Sequence, residues 1–184
     1  MEQIVIGMAD CRVSRSPGQV LTTYALGSCV GLVIHDARAA VGGLLHFMLP
    51  DSGIDPTKAK ARPFMFADTG IPLFLNQLFA QGADRRHLKV HVIGGARMMD
   101  QEGVFEIGKR NYLAARKILW RSGLLLASEV VGGMSSRTVR LDVGSGRIQL
   151  QESGIKPGVL PPAQVAAPAG TVAQEGGTPW ATAF

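Results

Sequence analysis

Cys29 is the residue of this sequence best suited to act as a nucleophile. It lies in the segment Gly27-Ser28-Cys29-Val30-Gly31, between two predicted strands. Glycines on both sides permit a tight turn and let a ligand approach the backbone closely. A nucleophilic cysteine requires that geometry, together with backbone N–H groups that stabilise an oxyanion. The spacing alone also fits a small buried hydrophobic residue, which is the usual state of a free cysteine.

His46 is the best candidate for a base beside Cys29. A thiol with its ordinary pKa of about 8.5 is mostly protonated at neutral pH, so a nucleophilic cysteine needs a histidine within reach. The sequence contains four histidines: His35, His46, His87 and His91. If strands 30–35 and 41–49 form a hairpin through residues 37–40, the numbers of paired residues sum to about 77. Cys29 then lies opposite residue 48, close to His46 and far from His35. A bulge at Gly42-Gly43 would shift this pairing, and a lone histidine in an apolar strand is more often a core residue.

Other chemistries are poorly supported. The only two cysteines, Cys11 and Cys29, exclude a disulfide framework and an all-cysteine metal site. The histidines lack zinc-ligand spacing, and Gly94-Gly95 is not followed by the Gly-Lys-Ser/Thr of a phosphate loop. The Gly-x-Cys-x-Gly pattern would match a nucleophile elbow only if a helix followed, whereas residues 30–34 favour a strand. We therefore expect no metal and no organic cofactor.

The elements that must position these residues follow from the hydrophobic pattern. Eight strands are predicted: Ile4–Met8, Val20–Leu26, Val30–Ile34, Val41–Leu49, Leu88–Ile93, Leu124–Val131, Thr138–Val143 and Arg147–Gln151. Two helices are predicted over Pro63–Gln81 and Asn111–Arg121. Pro72 indicates that the first helix begins near Ile71, with Asp68 or Thr69 as its cap. Short turns favour antiparallel neighbours, so we expect an α+β layered domain with a mostly antiparallel sheet and about two principal helices.

Composition divides the chain near Lys156. The segment 157–184 contains five of the ten prolines and a single charged residue, Glu175. It has neither helical nor strand periodicity. We therefore predict a domain over residues 1–156 and a disordered C-terminal tail over residues 157–184.

Charge and hydropathy limit the function classes. The 184 residues are 46% apolar and 18% charged, which is typical of a globular domain. The net charge of +5 comes from scattered basic residues without interleaved aromatic residues, so nucleic-acid binding is disfavoured. The sequence has no signal peptide and no apolar run long enough to span a membrane. We expect a cytoplasmic protein that does not insert into membranes.

Five ordered motifs resemble the CheD family of chemoreceptor glutamine deamidases in bacterial chemotaxis, over about Ile4 to Leu150. They are Leu26-Gly27-Ser28-Cys29-Val30, His46-Phe47-Met48-Leu49-Pro50 followed by Asp51-Ser52, Ala67-Asp68-Thr69, Val92-Ile93-Gly94-Gly95-Ala96 and Ile107-Gly108-Lys109-Arg110-Asn111. The resemblance implies a three-layer α/β sandwich and a cysteine–histidine amidase. It also implies that the substrates are glutamine side chains on the cytoplasmic helices of methyl-accepting chemotaxis receptors. A CheC-type phosphatase is implied as a further partner.

The resemblance assigns roles to individual residues. Cys29 matches the family's nucleophile, His46 its histidine, and Thr23, six residues before the cysteine, its threonine. We expect Cys29 to attack the glutamine carboxamide and form a thioester, with His46 transferring protons and Thr23 orienting the imidazole. Backbone N–H groups around Gly27 and Ser28 are candidates for the oxyanion hole.

Two departures and one alternative accompany this interpretation. Ser136 replaces a glycine of the family's C-terminal motif, and Phe66 stands where the family often has tyrosine. The alternative is a chemotaxis binding or regulatory module that engages receptors or a CheC-type phosphatase with little catalysis. The intact Thr23, Cys29 and His46 favour the enzyme.

Overall fold

Two five-stranded sheets face each other in the computed structural model, which describes residues 1–97, 106–153 and 158–159. In chain order the strands are β1 (Glu2–Val5), β2 (Asp10–Ser14), β3 (Gln19–Leu26), β4 (Val30–Asp36), β5 (Val41–Phe47), β6 (Leu88–Gly94), β7 (Leu126–Val131), β8 (Arg137–Asp142), β9 (Ile148–Glu152) and β10 (Gly158–Val159). The α-helices are α1 (Pro56–Ala61), α2 (Ala67–Ala80) and α3 (Ile107–Arg121). We call the sheet β1-β3-β8-β9-β10 the outer sheet and the sheet β2-β5-β4-β6-β7 the central sheet.

The central sheet is covered on both faces. Every residue of β4 and β5 is buried, which explains why both strands read as continuous apolar runs rather than as alternating ones. Val33 faces the outer sheet, where it packs with Leu21 and Leu141. Its neighbours Leu32 and Ile34 face α2 and α3, because successive side chains of a strand point to opposite faces.

This arrangement has three layers: outer sheet, central sheet and helices. It confirms the predicted α+β sandwich with mostly antiparallel sheets. Two pairings are parallel, β1 with β3 and β6 with β7. None of the described helices is long and apolar enough to cross a membrane.

The hairpin between β4 and β5 has the predicted register. Val30 pairs with Phe47 and Asp36 with Val41, so the paired numbers sum to 77 along the whole ladder. Gly42 and Gly43 introduce no bulge. A Cβ on Gly43 would lie 2.7 Å from the Phe74 ring, so this glycine allows α2 to pack closely on β5.

Several predicted boundaries were wrong. Helix α2 begins at Ala67 instead of near Ile71, although Pro72 lies inside it. The proline removes one helical N–H, while burial of the first turn at Ala67 and Ile71 stabilises the earlier start. Asp68 and Thr69 are not caps: Asp68 accepts hydrogen bonds from Ser52, and Thr69 donates to the Pro63 carbonyl.

The two ends of the domain also differ from the predictions. The first strand is Glu2–Val5 rather than Ile4–Met8, and β2 was not predicted. Within the predicted tail, Gly158–Val159 form the short strand β10 against β9, so the sheet extends beyond residue 156. Residues 154–157 and 160–184 lie outside the described residues, and the disorder expected for the tail stays a prediction.

Candidate active site

Strand register brings Cys29 and His46 together. Gly31 on β4 pairs with His46 on β5, and Cys29 precedes Gly31 by two residues. His46 faces the outer sheet from β5, and Cys29, in the bend just before β4, packs against the core on that same side of the central sheet. His46 is 1% exposed, whereas Cys29 is partly exposed and packs at the margin of the core between the sheets.

Thr23 reaches His46 from the outer sheet. The Thr23 Oγ1 lies 2.8 Å from His46 Nδ1 and 2.9 Å from the carbonyl oxygen of Ile6. A carbonyl only accepts hydrogen bonds, so the single hydroxyl proton of Thr23 goes to Ile6. His46 Nδ1 must then carry a proton and donate a hydrogen bond to Thr23 Oγ1. In the neutral imidazole, Nε2 is therefore the nitrogen that carries the free lone pair.

The other ring nitrogen of His46 is free to act. Nε2 is buried and has no hydrogen-bond partner among the described residues. A buried polar atom left unpaired is costly, and such atoms concentrate at sites that bind or react. The hydrogen bond to Thr23 therefore sets the tautomer of His46, and the Nε2 lone pair lies on the side of the central sheet that also carries the Cys29 sulfur.

Burial keeps both groups uncharged at neutral pH. It lowers the pKa of the His46 imidazole to about 4. It also raises the pKa of the Cys29 thiol, and a hydrogen bond from the residue's own backbone N–H opposes this rise only in part. The resting pair is consequently a thiol and a neutral imidazole rather than a thiolate and an imidazolium.

The loop that carries Cys29 is held by its carbonyl groups. The Gly27 oxygen accepts from the Ala96 N–H at 2.7 Å, and the Cys29 oxygen accepts from the Gly95 N–H at 2.8 Å. The Ser28 oxygen accepts from Asn111 Nδ2 at 2.9 Å. In contrast, no other described residue accepts a backbone hydrogen bond from the N–H groups of residues 27–29. The loop is anchored by its acceptors and keeps its donors available.

Glycines make this anchoring possible. Gly94 has a φ of +112°, and a Cβ there would lie 2.4 Å from the Cys29 carbonyl oxygen. In the first turn of α3, a Cβ on Gly108 would lie 2.5 Å from the Gly95 oxygen. Both positions therefore require glycine, which explains two of the five motifs.

Arg137 supports the segment around Gly94, which packs against the Cys29 loop. Its buried guanidinium donates from Nη1 to the Gly132 oxygen at 2.8 Å and the Gly94 oxygen at 3.4 Å, and from Nε to Glu152 at 2.7 Å. The ion pair with Glu152 balances the charge of the buried guanidinium.

The remaining chemical candidates lie away from this site. His35 bonds the Val143 carbonyl through Nε2 at 2.9 Å, and His91 bonds Ser128 through Nδ1 at 2.7 Å, so both are satisfied core residues. Cys11 lies on β2 beside Gln77, and burial raises its pKa to about 12. Within the described ranges no three metal-ligating side chains cluster.

Of the three predicted site residues, Thr23 and His46 are hydrogen-bonded between the two sheets, and Cys29 packs at the margin of the same core. Sequence reasoning assigned no role to the residues that hold the Cys29 loop. Asn111, Gly94 and Gly95 belong to two of the five motifs, but no role in the site was predicted for any of them. Membership of a motif was the available signal, because nothing local explains a buried asparagine in the second turn of α3.

The fold and the site define a three-layer β–β–α domain with a cysteine, a histidine and a threonine between its sheets. The family model described as CheD chemotactic sensory transduction matches residues 48–152. This chain belongs to the CheD family.

Several curated relatives cover most of the chain. A protein of Solibacter usitatus named probable chemoreceptor glutamine deamidase CheD is 62% identical over 88% of this chain and 95% of its own length. A probable chemoreceptor glutamine deamidase CheD 1 of Syntrophus aciditrophicus is 44% identical over 84% of this chain and 96% of its own. A solved structure from Neisseria meningitidis aligns over 73% of this chain and 64% of its own at 12% identity, with a TM-score of 0.42, and we infer nothing from so distant a likeness.

Proposed function

We propose that this protein deamidates glutamine side chains on the cytoplasmic helices of chemoreceptors, converting them to glutamate with release of ammonia. The observation that carries the proposal is the Thr23–His46 hydrogen bond of 2.8 Å, which leaves Nε2 unprotonated on the face shared with Cys29. The names of the relatives, which specify chemoreceptor glutamine deamidation, support the choice of substrate.

Acylation begins with a neutral thiol and a neutral imidazole. His46 Nε2 accepts the Cys29 proton while the sulfur attacks the carboxamide carbon, and the electron pair of the C=O bond moves to its oxygen. The imidazolium then donates this proton to the amide nitrogen as the oxyanion collapses. Ammonia leaves, and a thioester joins Cys29 to the former glutamine.

Deacylation uses the same groups in reverse. His46 Nε2 accepts a proton from water, and the resulting hydroxide attacks the thioester carbon. The C–S bond breaks, the sulfur recovers its proton from His46, and a glutamate side chain is released. Both stages pass through an oxyanion, for which the N–H groups of residues 27–29 are the candidate donors.

The low pKa of His46 sets its resting protonation state and makes it a weak base. An imidazole with a pKa of about 4 is almost entirely unprotonated at neutral pH and is therefore available as a base. When it accepts the thiol proton, its Nδ1–H keeps the hydrogen bond to Thr23. That bond orients the ring and stabilises the transient imidazolium.

The expected setting follows from this function. The receptor helices are the protein's substrate and first partner, and a CheC-type phosphatase is a second expected partner. The cytoplasm is the expected location, because the receptor segments that carry these glutamines lie there.

Intact-mass spectrometry of a purified receptor cytoplasmic fragment tests the proposal. We expect incubation with the wild-type protein to exchange amide NH2 for OH at specific side chains, which peptide mapping then locates. The Cys29→Ala variant should produce no such change, whereas Cys11→Ala should match the wild type. Retention of deamidation by Cys29→Ala would contradict the assignment of the nucleophile. Binding of the fragment without any conversion would instead favour a regulatory module.

A further inference from the structure

Asn111 touches the backbone on both sides of the candidate site. Its Nδ2 donates to the Ser28 carbonyl at 2.9 Å and to the Met48 carbonyl at 2.7 Å. Ser28 directly precedes Cys29, and Met48 follows His46 by two residues. One side chain on α3 therefore ties the Cys29 loop to the end of β5, the strand that carries His46.

The orientation of this side chain is determined by its surroundings. Asn111 is 0% exposed, and both of its neighbours are carbonyl oxygens, which only accept. The reversed amide would place Oδ1 against these two oxygens, so Nδ2 must face them. Oδ1 is buried without a partner among the described residues, which shows that the bonds to the two carbonyls dominate at this position.

These contacts set the direction of the Cys29 N–H. The Ser28–Cys29 peptide bond is trans, because the described chain contains no cis peptide, and in a trans peptide C=O and N–H point in opposite directions. Asn111 holds the Ser28 oxygen, so the Cys29 N–H points away from the Asn111 side chain. The Cys29 side chain packs at the margin of the core between the two sheets.

We propose that Asn111 is a positioning residue that aims the Cys29 N–H at the oxyanion of the reaction. Hydrogen bonding of the Ser28 carbonyl also polarises its peptide and strengthens the N–H as a donor. The side chain does not touch the substrate and acts only through the Ser28–Cys29 peptide. This inference rests on the proposed deamidation, since an oxyanion forms only when the thiol attacks a carbonyl carbon.

Asn111→Asp is the primary test, because it keeps the shape of the side chain and replaces the donor with an acceptor. We expect kcat for deamidation of the receptor fragment to fall about 10- to 100-fold, with KM changed less than about threefold. Asn76→Asp, the same change at an exposed position of α2, serves as the matched control and should leave kcat unchanged. If Asn111→Asp does not fold, Asn111→Ser supplies the second variant, since its short side chain leaves room for water at both carbonyls.

Alkylation of Cys29 by iodoacetamide separates positioning from general damage. In this reaction the sulfur displaces iodide from a saturated carbon, so no oxyanion forms. We expect Asn111 variants to alkylate at the wild-type rate while deamidating slowly, with all measurements made below the melting temperature. Equal losses of alkylation and deamidation would show a merely structural role and overturn the proposal. An unchanged kcat would do the same.

A measurement without substrate keeps this inference distinct from the proposed function. The amide resonance of Cys29 in a ¹⁵N-labelled protein reports the hydrogen bond to the Ser28 carbonyl. It should move in Asn111→Asp and stay in place in Asn76→Asp. Absence of deamidation by the wild-type protein would overturn the proposed function but not the contact between Asn111 and Ser28. An unmoved Cys29 resonance in Asn111→Asp would overturn that contact.

Discussion

Gly31 on β4 lies directly opposite His46 on β5, and this pairing places Cys29 and His46 on one face of the central sheet. A slip of one residue in the ladder would turn His46 toward the helices and away from Thr23. The register is held by burial of every residue in the two strands and, at the open end of the hairpin, by the bond of Asn111 to Met48. The site is thus a product of strand pairing as much as of the residues themselves.

Thr23→Val tests the tautomer assigned to His46. The change removes the Nδ1 hydrogen bond but keeps the shape, so we expect kcat for deamidation to fall about 10- to 100-fold. Thr22→Val is a matched control, because Thr22 is equally buried on the same strand and its Oγ1 has no partner within the part of the chain that the structure describes. Steady-state kinetics should show a normal rate for the control. Equal rates for both variants would contradict a role for Thr23 in orienting the imidazole.

Gly94→Ala tests the packing of the Cys29 loop. The new Cβ would meet the Cys29 carbonyl oxygen at 2.4 Å, so the loop must shift, and we expect activity to fall at least about tenfold. Gly82→Ala is the control: its φ of +91° imposes similar backbone strain, but nothing lies within 4 Å of the added Cβ. Both variants should lose about 1 to 2 kcal/mol of unfolding free energy from strain, and only Gly94→Ala should lose activity in addition. Comparable activity losses in the two variants would contradict the proposed contact.

Acid should destabilise the protein through its buried histidines. Burial is the first cause that lowers the pKa of His46 and of His91 to about 4, whereas an unfolded chain has histidines near pH 6.5. Between about pH 6.5 and pH 4 the unfolded state binds more protons, so the free energy of unfolding falls as the pH falls, by at most about 3 kcal/mol for each histidine.

Denaturant titrations of the wild type and of His91→Gln check this dependence. The variant should show a shallower loss of stability between pH 6.5 and about pH 4, whatever its stability at neutral pH. Parallel curves for the two proteins would show that His91 does not contribute.

The charge state of the resting site can be read from alkylation. Burial raises the pKa of Cys29 above the ordinary thiol value, so the rate constant for iodoacetamide should be low at neutral pH and should rise continuously into the alkaline range. The Cys11→Ala background isolates this signal. A rate plateau extending down to pH 5 would instead indicate a thiolate–imidazolium pair and would contradict attack by a neutral thiol.

The sequence predicted the β4–β5 hairpin because its register depends on local information. Two apolar strands separated by a short turn have one antiparallel pairing that buries both, and that pairing brought Cys29 near His46. Strand β2 was missed because its residues alternate between exposed and half-buried, with Asp10 and Arg12 on an open edge. A five-residue edge strand of this composition carries little hydrophobic signal.

The supporting contacts could not be predicted because they join distant segments. Asn111 bonds Ser28 across 83 residues of sequence and Met48 across 63. Nothing at position 111 indicates two carbonyls as partners, and the early start of α3 depends on Gly108 fitting against Gly95. Such positions are recognised only from motifs or from the folded structure.

The protonation state of the Cys29 thiol bears on how readily hydrogen peroxide oxidises it. Hydrogen peroxide reacts with thiolates, and susceptibility to sulfenic acid formation follows thiolate content. Because burial raises the pKa of the Cys29 thiol, we expect its reaction with peroxide to be slower than that of low-pKa cysteines. In the proposed reaction the sulfur becomes nucleophilic only while His46 takes its proton during attack, so we expect the resting protein to keep its activity after brief exposure to peroxide.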